Sequence, residues 1–258
     1  MKKISLFIAL ILLFSRPIFA QVGINNDNSA PNSSAMLQIK STNKGLLPPR
    51  MTGAQRDAIV APAAGLIIWC SNCGVSGELQ VYSGIVWKNM TGASPAPFIG
   101  QNYQGGIIAY IFQPGDLGFV AGEIHGLITT PSNQTMDAMW GCQGTTIGTS
   151  TAIGTGQSNT TAIVTQCTNS FYGTAAEACN DLVINGYSDW YMPSRDELDL
   201  LFQNKDAIGG FYTGWLEWYW SSSESDASWA WCQEFTNGDQ FSIQKDSFFY
   251  KVRAVRTF

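Results

Sequence analysis

Only one imidazole, His125, is present among 258 residues. Serine- or cysteine-type hydrolysis needs a nucleophile beside its histidine and an acid to orient the ring. Glu123 is near in sequence, but no nucleophile-elbow motif occurs, so His125 reads as a structural or surface residue. The same count excludes a His-rich zinc site. A second capable group is Asp189, Asp196, Glu197 and Asp199, around a helix start. Acids there complement the helix dipole. Read as a calcium site, they would have to help supply six or more oxygens. Dipole complementation is the simpler reading, and no metal or cofactor is expected.

The six cysteines form a third group. Cys70-Ser71-Asn72-Cys73 has the spacing of half a zinc site, but no second pair of soft ligands lies nearby. It reads as a small disulfide closing a turn. Cys142, Cys167, Cys179 and Cys232 allow three pairings. Cys142 with Cys167 would close a Gly/Thr-rich stretch, worth ~3 kcal/mol in the chain-entropy view. Cys179 alternatively pairs with Cys142 or Cys232.

Composition narrows the classes further. Charged residues make 13% of the chain, about half of the roughly 25% usual for soluble domains. The net charge of −5 and the absence of a basic stripe argue against nucleic acid as a partner. An apolar share of 45% can bury a core, which argues against disorder.

The elements that must position these residues follow from the pattern. Met1-Lys2-Lys3, the apolar run Ile4 to Phe14, and the break at Arg16 to Ala20 read as a secretory signal peptide over residues 1–20. The run is shorter than the ~20 residues of a spanning helix, and no later stretch could span a bilayer. An exported or cell-surface location follows, and disulfides are then permitted. Residues 21–91 form a small β-rich, stalk-like region with a short helix at Ala54 to Val60. Its strands are Leu66 to Trp69 and a hairpin of Leu79 to Tyr82 with Ile85 to Trp87. The Pro/Ala/Ser-rich stretch 92–100 is a linker. Beyond it, Gly106 to Phe112 is a strand and Gln143 to Ile163 a long ordered loop. Capping boxes start helices at Thr174 with Glu177 and at Ser194 with Glu197, reaching about Ile184 and Lys205. Strands follow at Trp229 to Phe235, Gln240 to Ile243 and Tyr250 to Val255, with Asn237-Gly238 marking a hairpin. Two helices among many short strands make an α+β fold.

Aromatic residues are the most informative feature. Trp215, Trp218, Tyr219, Trp220, Trp229 and Trp231 crowd together, and most should be core. Phe248, Phe249 and Tyr250 are consecutive, and a strand cannot bury all three on one face. At least one is expected in solvent, as in a binding surface.

The segments GYSDWYMPSRDELDLLFQ, YWSSSE, AWCQEF, NGDQF and YKVRAVRTF resemble the Legionella collagen-like protein C-terminal (Lcl C-terminal) domain family. With GGIIAYIFQPGDLGFVAGEIHGLI and WGC…IGTG…NTTAI, the resemblance covers roughly residues 101–258 and is similar to the longer form found in Bacteroidota surface proteins. It implies a C-type-lectin-like fold of two helices with twisted antiparallel strands. It also implies a ligand-binding scaffold without enzyme activity, with YWSSSE and VRAVR as framework strands. The cysteine pair of sulfatase-modifying relatives and the EPN or WND sugar motifs of calcium-dependent lectins are absent. The earlier segment VGINNDN…LQIKSTNKGLLPPRMTGAQRDAI is similar to the stalk-like start of exported Bacteroidota proteins and to phage tail-fibre heads.

Some domains of this kind are varied by diversity-generating retroelements, which leave only pyrimidine-ending codons at the varied positions. Ser225, Asp226, Ser228, Cys232, Phe241, Ser242, Ile243, Asp246, Ser247, Phe248, Phe249 and Tyr250 all have such a codon and are the ligand-binding candidates. Gln244 and Lys245 do not, and are expected to be framework. On this view Cys232 is an unpaired product of variation. The resulting expectation is an exported recognition protein for a protein or glycan ligand. The alternative is a structural adhesin or fibre tip that oligomerises through its N-terminal region.

Overall fold

A computed structural model describes residues 21–167, 173–214, 217–247 and 250–258. The signal segment, Trp215, Phe248 and Phe249 lie outside the described residues. The chain divides into two compact units, one ending at Pro48 and one running from Pro49 to Phe258.

In the first unit, β1 (Val22–Ile24) and β2 (Leu37–Ile39) pair in parallel, Val22 with Leu37 and Ile24 with Ile39. Val22, Ile24, Met36, Leu37 and Ile39 are all exposed. A two-stranded pair cannot bury an apolar face by itself.

The second unit begins with a four-stranded sheet in the order β3-β4-β5-β6, from β3 (Arg50–Met51), β4 (Ile67–Cys70), β5 (Glu78–Tyr82) and β6 (Trp87–Asn89). Helix α1 (Gly53–Asp57) starts at a capping box of Thr52 and Gln55 and ends before the expected Val60. Ile68, Cys70, Cys73 and Phe98 form the core here, and the Arg56 guanidinium lies 5.4 Å from the Phe98 ring centre. The Pro/Ala-rich stretch folds back onto this sheet. Gly74 N donates to Pro97 O (2.9 Å), and Ala96 N to the Glu78 carboxylate (2.7 Å).

Two further sheets build the remainder. One has the order β15-β9-β8-β7, from β7 (Asn102–Tyr103), β8 (Gly106–Ile111), β9 (Gly126–Thr129) and β15 (Val255–Thr257). The other has the order β10-β14-β11-β12-β13, from β10 (Thr135–Ala138), β11 (Trp218–Glu224), β12 (Trp229–Glu234), β13 (Gln240–Gln244) and β14 (Tyr250–Val252). The expected single strand from Tyr250 to Val255 is two strands in two sheets. The chain changes partner at Arg253-Ala254. The Arg253 guanidinium, fully buried, donates to the carbonyls of Gly209 and Gly210 (2.9 Å each) and to Asn133 Oδ1 (3.1 Å). The arginines of VRAVR are therefore framework.

The helices are α2 (Gly156–Gln166), α3 (Ala175–Asn180), α4 (Arg195–Gln203) and α5 (Lys205–Ile208). Both expected capping boxes form, at Thr174 with Glu177 and at Ser194 with Glu197. Helix α3 stops at Asn180, short of Ile184, and α5 continues after α4. Helix α2 corrects the expected long loop at Gln143 to Ile163. Its β-branched and glycine content weakens intrinsic helicity, and tertiary contacts compensate. Ile163 is fully buried, and the Asn159 amide donates to Ser150 O (2.6 Å) and Ser222 Oγ (3.2 Å). These helices among sheets make an α+β fold. The largest core cluster joins Trp140, Ile163, Trp190, Trp220 and Val252. Disulfides link Cys70 with Cys73 and Cys142 with Cys167, while Cys179 and Cys232 are free and buried.

Candidate functional site

The acids and the histidine are each engaged separately. His125 Nδ1 meets Phe258 O (3.0 Å) and Nε2 meets Glu123 Oε2 (2.8 Å). Glu123 and that carbonyl raise the imidazole above its ordinary pKa. Arg256 grips Asp189 with two nitrogens (2.7 and 2.9 Å) and holds its carboxyl below the usual range. Asp196 pairs with neighbouring Arg195 (2.9 Å). Asp199 accepts from Gln203 (2.6 Å) and Gln233 (2.7 Å). Glu197 is fully buried and accepts from Gly154 N and Ser194 N (2.8 Å each). Burial pushes its carboxyl up to about 7. A side chain at Gly156 would collide with that carboxylate, so glycine is required there. Among the described residues, no three His, Cys, Asp or Glu gather as a metal site.

The ligand-binding candidates fall into two sets. One consists of the turn after β11 and the turn after β13. Glu224 closes β11, Lys245 follows β13, and Lys245 Nζ lies 2.7 Å from Glu224 Oε2. The side chains are 0% and 6% exposed, Lys245 and Glu224 respectively. Lys245 Nζ also donates to Thr145 O (2.8 Å) and sits 4.6 Å from the Trp140 ring centre. The Glu224 carboxylate accepts from the amides of Ile147 and Gly148. Burial alone would raise the Glu224 carboxyl, but Lys245 and these amides outweigh it and hold it below its ordinary value. Lys245 is thus buried framework, whereas Gln244, expected to be framework as well, is exposed.

Both turns spring from this pair. Ser225, Asp226 and Asp246 are exposed, and Ser228 and Ser247 half-buried. Asp226 Oδ1 accepts from Ser228 N (2.7 Å) and Trp229 N (2.9 Å), which closes the first turn on itself. Lys245 N donates to Ser228 O (3.0 Å), bringing the second turn alongside. Gly144 N donates to Ala227 O (3.0 Å), so the loop behind Cys142 braces both.

The second set lies on the strands. Phe241 and Ile243 share one face of edge strand β13, opposite Cys232 and Ala230, and both are half-buried. Ser242 points to the other face, paired with Trp231. Arg195 lies 5.0 Å from the Trp231 ring centre. Cys232 (1% exposed) and Tyr250 (8%) require correction as contact residues, because both side chains are core. Tyr250 stacks on Trp218 at 5.1 Å and meets Trp220 at 4.8 Å. Phe248 and Phe249 lie outside the described residues.

Sequence reasoning missed Glu224 and the Ile147–Gly148 amides that receive it. A lone acid ending the serine-rich strand WYWSSSE was the available signal, since a charge at the end of a buried strand calls for a partner.

Residues 130–256 match the Lcl C-terminal domain family. Residues 23–104 match the phage tail like trimerisation region. No curated protein matches the chain. Among the described residues, no helix is long and apolar enough to cross a membrane.

Proposed function

We propose an exported surface recognition protein. It assembles through its N-terminal region and presents a C-type-lectin-like domain whose two turns, at 225–228 and 246–247, contact a protein or glycan ligand. The observation that carries this reading is the Glu224–Lys245 pair, which fixes the roots of both turns while Ser225, Asp226 and Asp246 stay exposed. Rigid roots under small polar residues limit the entropy lost on binding. The match to a trimerisation region and the exposed apolar residues of β1 and β2 support assembly of three copies. The separately engaged carboxylates and His125 favour binding over catalysis.

Codon-restricted variation fits the exposed Ser225, Asp226 and Asp246 and the half-buried Ser228 and Ser247. It fits Cys232 and Tyr250 poorly, because core positions do not tolerate random replacement. A template repeat and reverse transcriptase beside the coding DNA would support it. Purine-ending codons at the exposed positions would remove it.

A glycan and surface-protein array tests the binding role. The chain lacking residues 1–20 should bind a defined ligand, and a Ser225→Ala/Asp226→Ala/Asp246→Ala/Ser247→Ala variant should lose it while circular dichroism shows the fold retained. Binding indifferent to those four changes would refute the turn site. Sedimentation of the same chain should give a trimer, and a monomer would refute assembly.

A further inference from the structure

A separate cleft lies on the β15-β9-β8-β7 sheet, away from the Glu224–Lys245 pair in sequence and in sheet membership. It has a volume of about 330 Å³ and is lined by Asn102, Tyr103, Gln104, Pro131 and Asn185 with two glycines. No charged side chain lines it, while three amides and one phenol ring do. All four of these polar residues are exposed.

Two tight turns build it. Gln104-Gly105 joins β7 to β8 with both residues at positive φ, 42° and 89°. Asn185-Gly186 forms a second such turn, with φ of 52° and 84°. Ile184 and Tyr187 close that turn by reciprocal backbone bonds of 3.0 Å. The Asn185 amide reaches Gly105 O (3.5 Å), which ties one turn to the other. Gly105 could carry no side chain, because Tyr187 lies 2.8 Å from where its Cβ would be.

Gln104 is the unusual residue. Its left-handed backbone suits Gly or Asn in a two-residue hairpin, and holding glutamine there costs free energy. Arg256, itself gripped by Asp189, donates to Gln104 Oε1 (3.2 Å). The carbonyl end of this amide is therefore occupied, and no partner among the described residues takes its NH₂ end. The Asn102 amide and the Tyr103 hydroxyl likewise have no protein partner among the described residues, while the Tyr103 ring is braced edge-on by Phe258 at 5.3 Å.

We propose that this cleft is a second binding site, for a neutral mono- or disaccharide. Amides offer adjacent donors and acceptors that match vicinal hydroxyls, and the half-exposed tyrosine ring offers a surface for the apolar face of a pyranose. An uncharged lining gives no counter-ion for an acidic sugar. A peptide strand is disfavoured because edge strand β7 has only two residues to pair with. The volume lies at the small end of ligand pockets.

The test uses the chain lacking residues 1–20 on an array of neutral glycans, acidic glycans and peptides, followed by calorimetric titration of the best neutral hit. Asn102→Ala and Gln104→Gly should each weaken binding about tenfold, with circular dichroism and thermal midpoint near those of the parent. The four-alanine variant of the 225–228 and 246–247 turns should bind the neutral saccharide normally. Binding only to acidic glycans or peptides, no array signal, or affinity indifferent to both cleft substitutions would overturn the proposal. Loss of saccharide binding in the turn variant alone would also overturn it, by placing the ligand on the other site.

Discussion

Lys245 Nζ stands 2.7 Å from Glu224 Oε2, with both side chains sealed from solvent, and each residue directly precedes one of the candidate turns. Removing one partner leaves a buried, uncompensated charge, which typically costs about 3–5 kcal/mol. Glu224→Leu and Lys245→Met should each show that loss in chemical denaturation. The double variant Glu224→Leu/Lys245→Met should recover much of it, so a fully additive double variant would show that the pair is not coupled.

The buried cysteines should be silent to thiol reagents. Burial pushes Cys232 up to about 12 and Cys179 higher still, which suppresses the reactive thiolate. Without reductant, mass spectrometry after maleimide treatment should find no label on the native chain and two labels after unfolding. Four or more labels would contradict the two disulfides.

Opening the Cys142–Cys167 bridge should release the loop that braces both turns. Its closure spans 25 residues, so the Cys142→Ser/Cys167→Ser variant should lose ~3 kcal/mol of unfolding free energy. Ligand affinity at the turns should fall with it, and unchanged affinity would detach the loop from the site.

Tyr250 and Asp246 should separate by stability. Tyr250→Ala removes a ring stacked on Trp218 and set edge-on to Trp220 and should cost about 3 kcal/mol or more. Asp246→Ala should stay within about 0.5 kcal/mol. Comparable midpoints for the two would mean that Tyr250 is not core.

Stability should fall as pH rises from mildly acidic to alkaline. Glu197 is raised by burial to about 7 when folded, so the folded chain holds that proton more tightly than the unfolded chain. Its contribution is present below the ordinary glutamate range and is lost as pH rises through about 7. His125, raised by Glu123, acts in the same direction, with its contribution lost above the ordinary imidazole range. The ring is partly open to solvent, which screens the pair, so its share is the smaller one. Denaturation midpoints between pH 5 and 8 should decline, and the Glu197→Gln variant should flatten most of the slope. A rising midpoint over that range would contradict the assignment.

Local signals in the chain were enough for the capping boxes at Thr174 and Ser194, the Cys70–Cys73 turn and the α+β class, because each depends on neighbours within a few residues. The pairing of Glu224 with Lys245 could not be read this way, since the two are separated by a strand pair and meet only when β11, β12 and β13 align. Helix α2 was missed because its stability comes from Asn159 and Ile163 packing on distant strands and not from propensity. Cys232 and Tyr250 have the composition of a contact surface, yet the tertiary structure places them inside. Side-chain type sets what a residue can do, while burial, which is a property of the whole packed chain, decides whether a ligand can reach it.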